Sequence, residues 1–308
     1  HKRFYHRLPS VPFFGFHDVN KLSQFIKHKD WNEHFMICSI CHHHCRLSEG
    51  QLGLCGARKN ENGKSVSVNY AKLTALALDP IEKKPLARFH PGSFILSAGS
   101  FGCNMACPFC QNCEIAEARP STIDTREVMP DELIQTALSL RPRGNIGVAL
   151  TYNEPMVGFE YVRDCAKLAK ENGLATAVVT NGCVSQETLL EVLPYIDAWN
   201  IDLKCFTEAG YRRLGGDLNM VKAFIETAVP KSHVEVTTLV VPGISDREDE
   251  LREMARWLSS LSPEIPYHIT RFFPHKHMLD QAPTDPALLR RMRDIAKETL
   301  TWVYLGNL

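Results

Sequence analysis

Phe94-Ile95-Leu96-Ser97-Ala98-Gly99-Ser100-Phe101-Gly102-Cys103-Asn104-Met105-Ala106-Cys107-Pro108-Phe109-Cys110 opens as a short apolar strand and runs into a loop with three cysteines spaced C-x3-C-x2-C. Three thiolates on one loop suit an iron–sulfur cluster, whose usual ligands are thiolates. A cubane has four irons, so three protein ligands leave one iron open to bind something else. A closed structural metal site would want a fourth cysteine or histidine at matching spacing. The competing readings are a zinc knuckle and three cysteines in a loop by chance. Cys113 completes C-x2-C with Cys110, but a fourth ligand would block the open iron, so it reads as a bystander near the site.

Outward from this stretch the pattern is regular. Apolar strand segments are expected at Phe94–Phe101, Ile146–Tyr152, Ala175–Asn181, Ala198–Lys204, His233–Val241 and Tyr267–Phe273, with a last strand at Thr301–Leu305. Helical patterns lie near Pro130–Leu140, Gly158–Asn172, Gln186–Leu193, Leu218–Val229, Arg247–Ser260 and Asp285–Thr299. Strands alternating with helices of this length predict right-handed βαβ units and a parallel sheet. Six such units predict an α/β fold with an open, partial barrel, and in parallel barrels the site lies at the carboxyl ends of the strands.

Those ends carry polar groups. Thr151-Tyr152-Asn153-Glu154-Pro155 makes a turn that aims side chains into the barrel mouth, where Glu154 can pair with an ammonium group. Thr180-Asn181-Gly182 is a turn that exposes Asn181. Asp202 and Lys204 stand two apart, hence on one face of their strand, a costly placement unless they are paired or functional. On the sixth strand His268 and Thr270 share one face and Arg271 takes the other, so only one set can face the barrel; Arg271 and, beyond it, His275 are taken as site residues.

Before the barrel, Cys38, Cys41, Cys45 and Cys55 form C-x2-C-x3-C-x9-C, with Gly50, Gly53 and Gly56 shaping the return loop. Four cysteines this close are a metal-site signal. Tetrahedral zinc and a second [4Fe-4S] cluster would both use them, and His42, His43 and His44 read as solvent-facing or secondary groups. Val66–Leu76 suggests a small strand or hairpin. Asp79–Leu86, bracketed by Pro80 and Pro85, reads as a stiff extended connector, though its lysines could meet an anionic ligand. The expected organisation is an irregular arm over 1–36 with a helix near Val19–Lys29, a cysteine-rich metal-binding module and connector over 37–92, and the barrel over 93–308.

Composition bounds the partners. The 308 residues are 44% apolar and 23% charged, as in soluble globular chains, and the formal net charge of zero gives no signature of nucleic acid or a membrane surface. No apolar run approaches the roughly 18 residues that cross a bilayer. The amino terminus lacks a secretory pattern, and His1 in place of Met suggests a start inside an engineered chain or a longer protein. Seven of the 11 cysteines fall in two clusters, which argues for metal in a reducing compartment over disulfides, hence a cytoplasmic protein.

With these motifs in place, the chain resembles the radical S-adenosylmethionine (radical SAM) superfamily. The resemblance implies that Cys103, Cys107 and Cys110 hold a [4Fe-4S] cluster and that SAM chelates the open iron. An electron from the cluster then splits the sulfonium to a 5′-deoxyadenosyl radical that abstracts hydrogen from a substrate. It also implies the partial (β/α)6 barrel, a cofactor-side role for the aromatic Phe109, and SAM contacts from Asn153, Glu154, Asn181, Asp202, Lys204 and His275. Asp202 and Lys204 match the Asp-x-Lys of glycyl-radical activases, which contacts SAM and substrate. Val179 stands where those activases often carry Asp. Several tracts together (38–58, Asp79–Leu86, Gly102–Asn112, Thr151–Pro155 and Tyr304-Leu305-Gly306-Asn307) resemble the radical SAM component of the AmmeMemoRadiSam system, a relative of pyruvate formate-lyase activating enzymes, over about residues 36–308. Cys113 stands where that group usually has an aromatic, and relatives often run past Gly-Asn into a cysteine-bearing tail, whereas this chain stops at Leu308. Three functions follow: a radical enzyme acting on a small molecule or a partner-presented substrate, an activase acting on a partner protein, or a non-catalytic metal scaffold. The first two imply a reduced flavodoxin or ferredoxin-type electron donor.

Overall fold

The computed structural model describes residues 35–308, so the expected arm and its helix near Val19–Lys29 lie outside the described residues, apart from Phe35 and Met36. Eight strands make the central sheet: β1 (Ala75–Pro80), β2 (Phe94–Gly99), β3 (Asn145–Leu150), β4 (Ala175–Thr180), β5 (Ala198–Asp202), β6 (His233–Val240), β7 (Tyr267–Arg271) and β8 (Val303–Gly306). They run in the order β8-β7-β6-β5-β4-β3-β2-β1. Every neighbouring pair is parallel except β1 with β2. The sheet is therefore an open barrel of the anticipated kind.

The helices are α1 (Pro130–Ser139), α2 (Phe159–Glu171), α3 (Gln186–Val192), α4 (Glu208–Arg213), α5 (Leu218–Ala228), α6 (Glu248–Leu261) and α7 (Pro286–Ala296). Their starts are written in the sequence. The side chains of Ser185, Thr207, Asp217 and Asp285 accept from backbone N–H groups of the helices they cap, and Pro130 and Pro286 occupy the first turns, where no amide partner is needed. In α6, Leu251, Met254, Ala255 and Leu258 recur at the helical period and are buried, while the opposite face is charged. Two short α-helical segments lie outside the expected pattern, α4, with Gly210 inside it, and the single turn Cys113–Ala116.

The sequence reading needs correcting at the connector. Ala75–Pro80 is a sheet strand, its partners running from Ala75↔Gly99 to Pro80↔Phe94. Pro80 is compatible with this because β1 is the sheet's edge, where a missing N–H leaves no partner unpaired. From there residues 81–88 cross beneath the amino ends of the strands. Ile81 N–H donates to the Ser93 carbonyl at 3.0 Å, and the Pro85 carbonyl accepts from Asn200 Nδ2 at 2.8 Å. Ala87 and Arg88 N–H groups donate to Glu235 at 2.9 and 2.7 Å, and the Arg88 guanidinium lies 3.7 Å from the Trp302 ring centroid. Ile81 and Leu86 pack on Ile95, Ala149, Ala177 and Ala198, whose small side chains leave room for them. The supposed linker is thus a strap that floors the barrel.

Glu235 fastens this floor. Its buried carboxylate accepts from the two strap amides and contacts Nε2 of both His233 (2.8 Å) and His268 (2.6 Å). Burial alone would raise its pKa, but the two histidine contacts and the Arg88 amide hold it down at about 2. A carboxylate depressed in the fold stabilises it fully above the unfolded value, near pH 4.5, and loses that contribution as pH falls toward 2. Removing it in Glu235→Gln should therefore flatten the acid limb of the stability curve, by about 2 kcal/mol between pH 7 and pH 3. Chemical denaturation between pH 7 and pH 3 checks this; parallel curves for the two proteins would refute it.

The cysteine-rich segment folds as short hairpins, Met36–Ile37 on Arg46–Leu47 and Arg58–Glu61 on Lys64–Ser67. It is docked on the barrel. The buried Arg58 pairs with Glu160 at 2.6 Å, and Ser185 N–H donates to the Ile40 carbonyl at 2.8 Å. His42 Nε2 meets the Gly215 carbonyl at 3.1 Å and His43 Nε2 the Asn104 carbonyl at 2.8 Å. These two histidines, read from sequence as solvent-facing or secondary groups, bridge to the barrel loops.

Candidate active site

The loop after β2 brings Cys103, Cys107 and Cys110 to the wall of a cavity of about 790 Å3 at the carboxyl ends of the strands. Several bonds fix its path. Gly102 N–H donates to the Ile115 carbonyl, Cys103 N–H to the Cys55 carbonyl at 3.2 Å, and Ala106 N–H to the Leu214 carbonyl. Asn104 accepts from Asn181 Nδ2 at 2.8 Å and donates to the Cys183 carbonyl at 2.6 Å. Phe109 is buried and lines the same cavity. Cys113 begins a helical turn, Cys113–Ala116, and is absent from the wall, in keeping with its reading as a bystander.

The three thiols suit an iron–sulfur cluster in their chemistry. Burial pushes Cys103, Cys107 and Cys110 upward, so they ionise only when a strongly cationic group arrives. Met105 N–H stands 3.4 Å and Asn181 Nδ2 3.7 Å from the Cys103 sulfur, donors placed for a thiolate. Lys204 and Lys276 pull Cys107 and Cys110 back down. Among the described residues no group of three or more Cys, His, Asp or Glu side chains is arranged to hold a metal ion; the thiols share a wall without closing around a point. The same holds for Cys38, Cys41, Cys45 and Cys55, which lie near enough for each to raise the charge cost of Cys41.

Glu154, Asn153, Asn181, Asp202 and Lys204 all reach the cavity. The Glu154 carboxylate is buried; burial pushes its pKa up to about 7 against the pull of the Asn181 amide, the Thr180 hydroxyl and the Met156 amide. Those donors sit at 2.7, 2.7 and 3.0 Å. The Asn153 amide is taken up by Ser100 N–H and the carbonyls of Phe101 and Gly102, so it braces the root of the cysteine loop. Lys204 Nζ lies 2.9 Å from Asp202; burial would lower its pKa, but the carboxylate outweighs that and keeps the ammonium charged.

Two expected residues do not join this set. Arg271 donates to the Thr284 carbonyl at 2.8 Å and stacks on Phe273, away from the cavity, whereas His268 and Thr270 line it. The reason is the opposite face of β7: Tyr267 bonds Thr238 and the Met254 sulfur of α6, so its face belongs to the helix layer and Arg271 follows. His275 is also off the wall, its buried Nδ1 without a partner among the described residues. The next residue, Lys276, is on it, donating to the Cys107 carbonyl at 3.0 Å and pairing with Glu117. Sequence reasoning missed Lys276, which sits in an aperiodic loop at a left-handed φ of 51°. It gave no site role to Tyr152 or Tyr304, and it raised the connector lysines, Lys84 among them, only as an alternative to a plain linker.

Gly102 joins the cysteine loop to the cysteine-rich segment. At φ +92°, an added Cβ would lie 2.6 Å from the Cys55 carbonyl oxygen and 2.9 Å from the Ala57 Cβ. Gly102→Ala should therefore cost about 2 kcal/mol or more and reduce iron incorporation at the barrel. Iron analysis and denaturation check it; a variant with wild-type stability and iron content would contradict the close approach.

Residues 99–258 match the radical SAM superfamily. An uncharacterized protein of Methanocaldococcus jannaschii is 38% identical over 88% of this chain and 80% of its own length. The pyruvate formate-lyase-activating enzyme of Staphylococcus epidermidis is 26% identical over 54% of this chain and 72% of its own. Among solved structures, Streptococcus suis SuiB bound to S-adenosylmethionine aligns with a TM-score of 0.54 at 13% identity, covering 67% of this chain and 48% of SuiB. A radical SAM methyltransferase from Sphaerobacter thermophilus aligns at 0.53 and 14% identity, covering 70% and 67%. These two show the shared fold, and the match across the cysteine loop and the strands that face it makes this chain an enzyme of the radical SAM superfamily.

Proposed function

We propose that Cys103, Cys107 and Cys110 hold a [4Fe-4S] cluster in the cavity wall and that SAM binds beside it. When bound, the cluster and SAM together supply a 5′-deoxyadenosyl radical for hydrogen abstraction. The chain's own residues do the rest. Glu154, with three donors on its two oxygens, keeps room for one further donor such as the SAM ammonium. Asn181 and Met105 hold donors toward the Cys103 sulfur, and Asn153 fixes the loop. Asp202 and Lys204 present paired charges to SAM or substrate, and Phe109 packs the cluster side. The observation that carries this reading is the convergence of the three thiols, Glu154, Asn181, Asp202 and Lys204 on one cavity.

The substrate reading favours a small molecule, or a group presented by a partner of the same system. A floored cavity of about 790 Å3 has the size of a small-molecule site. The second reading, a glycyl-radical activase, is favoured by the sequence kinship with the pyruvate formate-lyase-activating enzymes. The two are separated by electron paramagnetic resonance on anaerobic mixtures of the reduced enzyme, SAM and a glycyl-radical enzyme: a persistent glycyl signal supports the activase, its absence the small-molecule reading. The narrower kinship to the AmmeMemoRadiSam component belongs to the same proposal, as do a flavodoxin or ferredoxin-type donor and a cytoplasmic location. Among the described residues no helix is long and apolar enough to cross a membrane.

For Cys38, Cys41, Cys45 and Cys55 we propose a second metal, zinc or a [4Fe-4S] cluster. Backbone contact between Cys55 and Cys103 supports a bound cluster as an electron relay and a bound zinc as a brace of the cysteine loop. Metal analysis of the purified protein distinguishes them.

A further inference from the structure

We infer that the floor of the cavity is an anion subsite, in which Lys84 and His268 receive a carboxylate or phosphate group of the substrate. The inference rests on the reading of this cavity as the substrate chamber and adds the chemical class of the group it takes.

Lys84 is unusual among the chain's lysines. It rises from the strap 81–88 with its side chain only 3% exposed, and it lines the same cavity as the cysteines. Its ammonium has three donors. One reaches Asp79 at 2.9 Å, and a second, longer contact at 3.5 Å reaches the Tyr152 hydroxyl. The third has no partner among the described residues. Tyr152 donates to the same Asp79 oxygen at 2.6 Å and sets its ring 4.5 Å from the ammonium, so the cation is fixed from two sides. Tyr152 holds that position at a left-handed φ of 74°, a conformation that costs a large side chain about 1 kcal/mol or more. A plain structural ion pair would not require the strain or a place on the cavity wall.

His268 is the second member. Its Nε2 is engaged by Glu235 at 2.6 Å, while Nδ1 has no partner among the described residues; the residue lines the cavity, stacked on Tyr304. The strap ties the two together. Glu235 binds Ala87 and Arg88 of the strap as well as His268, and Asn200 joins the Pro85 carbonyl to Thr237, the register partner of His268. A buried cation with a spare donor, on the wall of the same cavity as an oriented imidazole, is an arrangement that recognises an anion. Asp79 is shared between Lys84 at 2.9 Å and Lys83 at 3.3 Å, so one carboxylate faces two lysines and the site keeps positive charge for an anion.

The test is a titration of [6-13C]lysine-labelled holoprotein followed by NMR, with acetate and inorganic phosphate as separate probes and methylammonium chloride as the cationic control. The Lys84 signal is identified by its loss in the double variant Lys84→Met/Asp79→Asn, which removes both charges together and spares the fold an unpaired buried carboxylate. The expected result is a saturable shift of that signal with one anion and none with methylammonium, the responding probe telling carboxylate from phosphate. In His268→Gln the half-saturating concentration should rise about tenfold, the loss of one charge-assisted hydrogen bond. A Lys84 signal that ignores both anions, or responds equally to methylammonium, overturns the proposal. The titration involves no SAM cleavage, so its failure and a failure of the radical reading are told apart.

Discussion

Replacing Cys107 with alanine should remove iron and acid-labile sulfide from the barrel and lower 5′-deoxyadenosine formation at least about a thousandfold, the scale expected when a reaction loses the group that performs it. Three ligands leave no redundancy, and Cys113, the nearest spare thiol in sequence, does not reach the cavity wall. The same substitution should leave metal at Cys38, Cys41, Cys45 and Cys55. Contact between the two segments runs through Gly102 and Cys103, which meet Cys55 and Ala57, and through Asn104, whose carbonyl meets His43, whereas Cys107 has Cys110, Asp202, Lys204 and Lys276 as its titratable neighbours. Cys107→Ala and Gly102→Ala should thus separate two effects, loss of a ligand and loss of the joint. Iron and zinc content of both variants, measured beside the wild type, checks the pair. Full visible absorbance of the cluster in Cys107→Ala would contradict the ligand assignment.

Glu154→Ala should be the most destabilising single change in the cavity. It strips the acceptor from the Thr180 hydroxyl and from the Asn181 and Met156 amides, all in the buried ground between β3 and β4. Each orphaned buried donor costs about 1–3 kcal/mol, for a loss of roughly 3–9 kcal/mol, a large part of the 5–15 kcal/mol typical of a folded domain. Glu154→Gln keeps one oxygen but turns an NH2 toward one of the donors, so it should lie between the two. SAM affinity should fall in both, since each removes the carboxylate charge proposed to meet the ammonium. Urea denaturation with calorimetric SAM binding measures this. A Glu154→Ala protein within about 1 kcal/mol of wild type would show that water replaces the carboxylate and that the hub is not structural.

The barrel was legible because its signals are local. Apolar runs of strand length, helical periods and capping residues such as Ser185 and Asp217 placed the expected strands and helices of 93–308 to within a few residues of their observed ends. The single element expected at Val66–Leu76, by contrast, is divided among Lys64–Ser67, Lys72–Leu73 and Ala75–Pro80. The cysteine spacing gave the loop, and the polar strand ends gave Glu154, Asn181, Asp202 and Lys204. What stayed hidden depends on distant partners. Lys84 reads as a linker lysine until Asp79 and Tyr152 are seen beside it, and Pro80 reads as a breaker until β1 is known to be an edge strand. On β7, alternation offered two faces, and only the bond from Tyr267 to Thr238 and Met254 tells which one belongs to the helices. Lys276 carries no periodic signal at all.

The measurement that bears most directly on the account is anaerobic incubation of the iron-loaded protein with SAM and a strong reductant, with 5′-deoxyadenosine and methionine quantified together. The account predicts both products in equal amounts, from the wild type and not from Cys107→Ala. SAM recovered intact from a protein whose four-iron cluster is intact and reduced would contradict it.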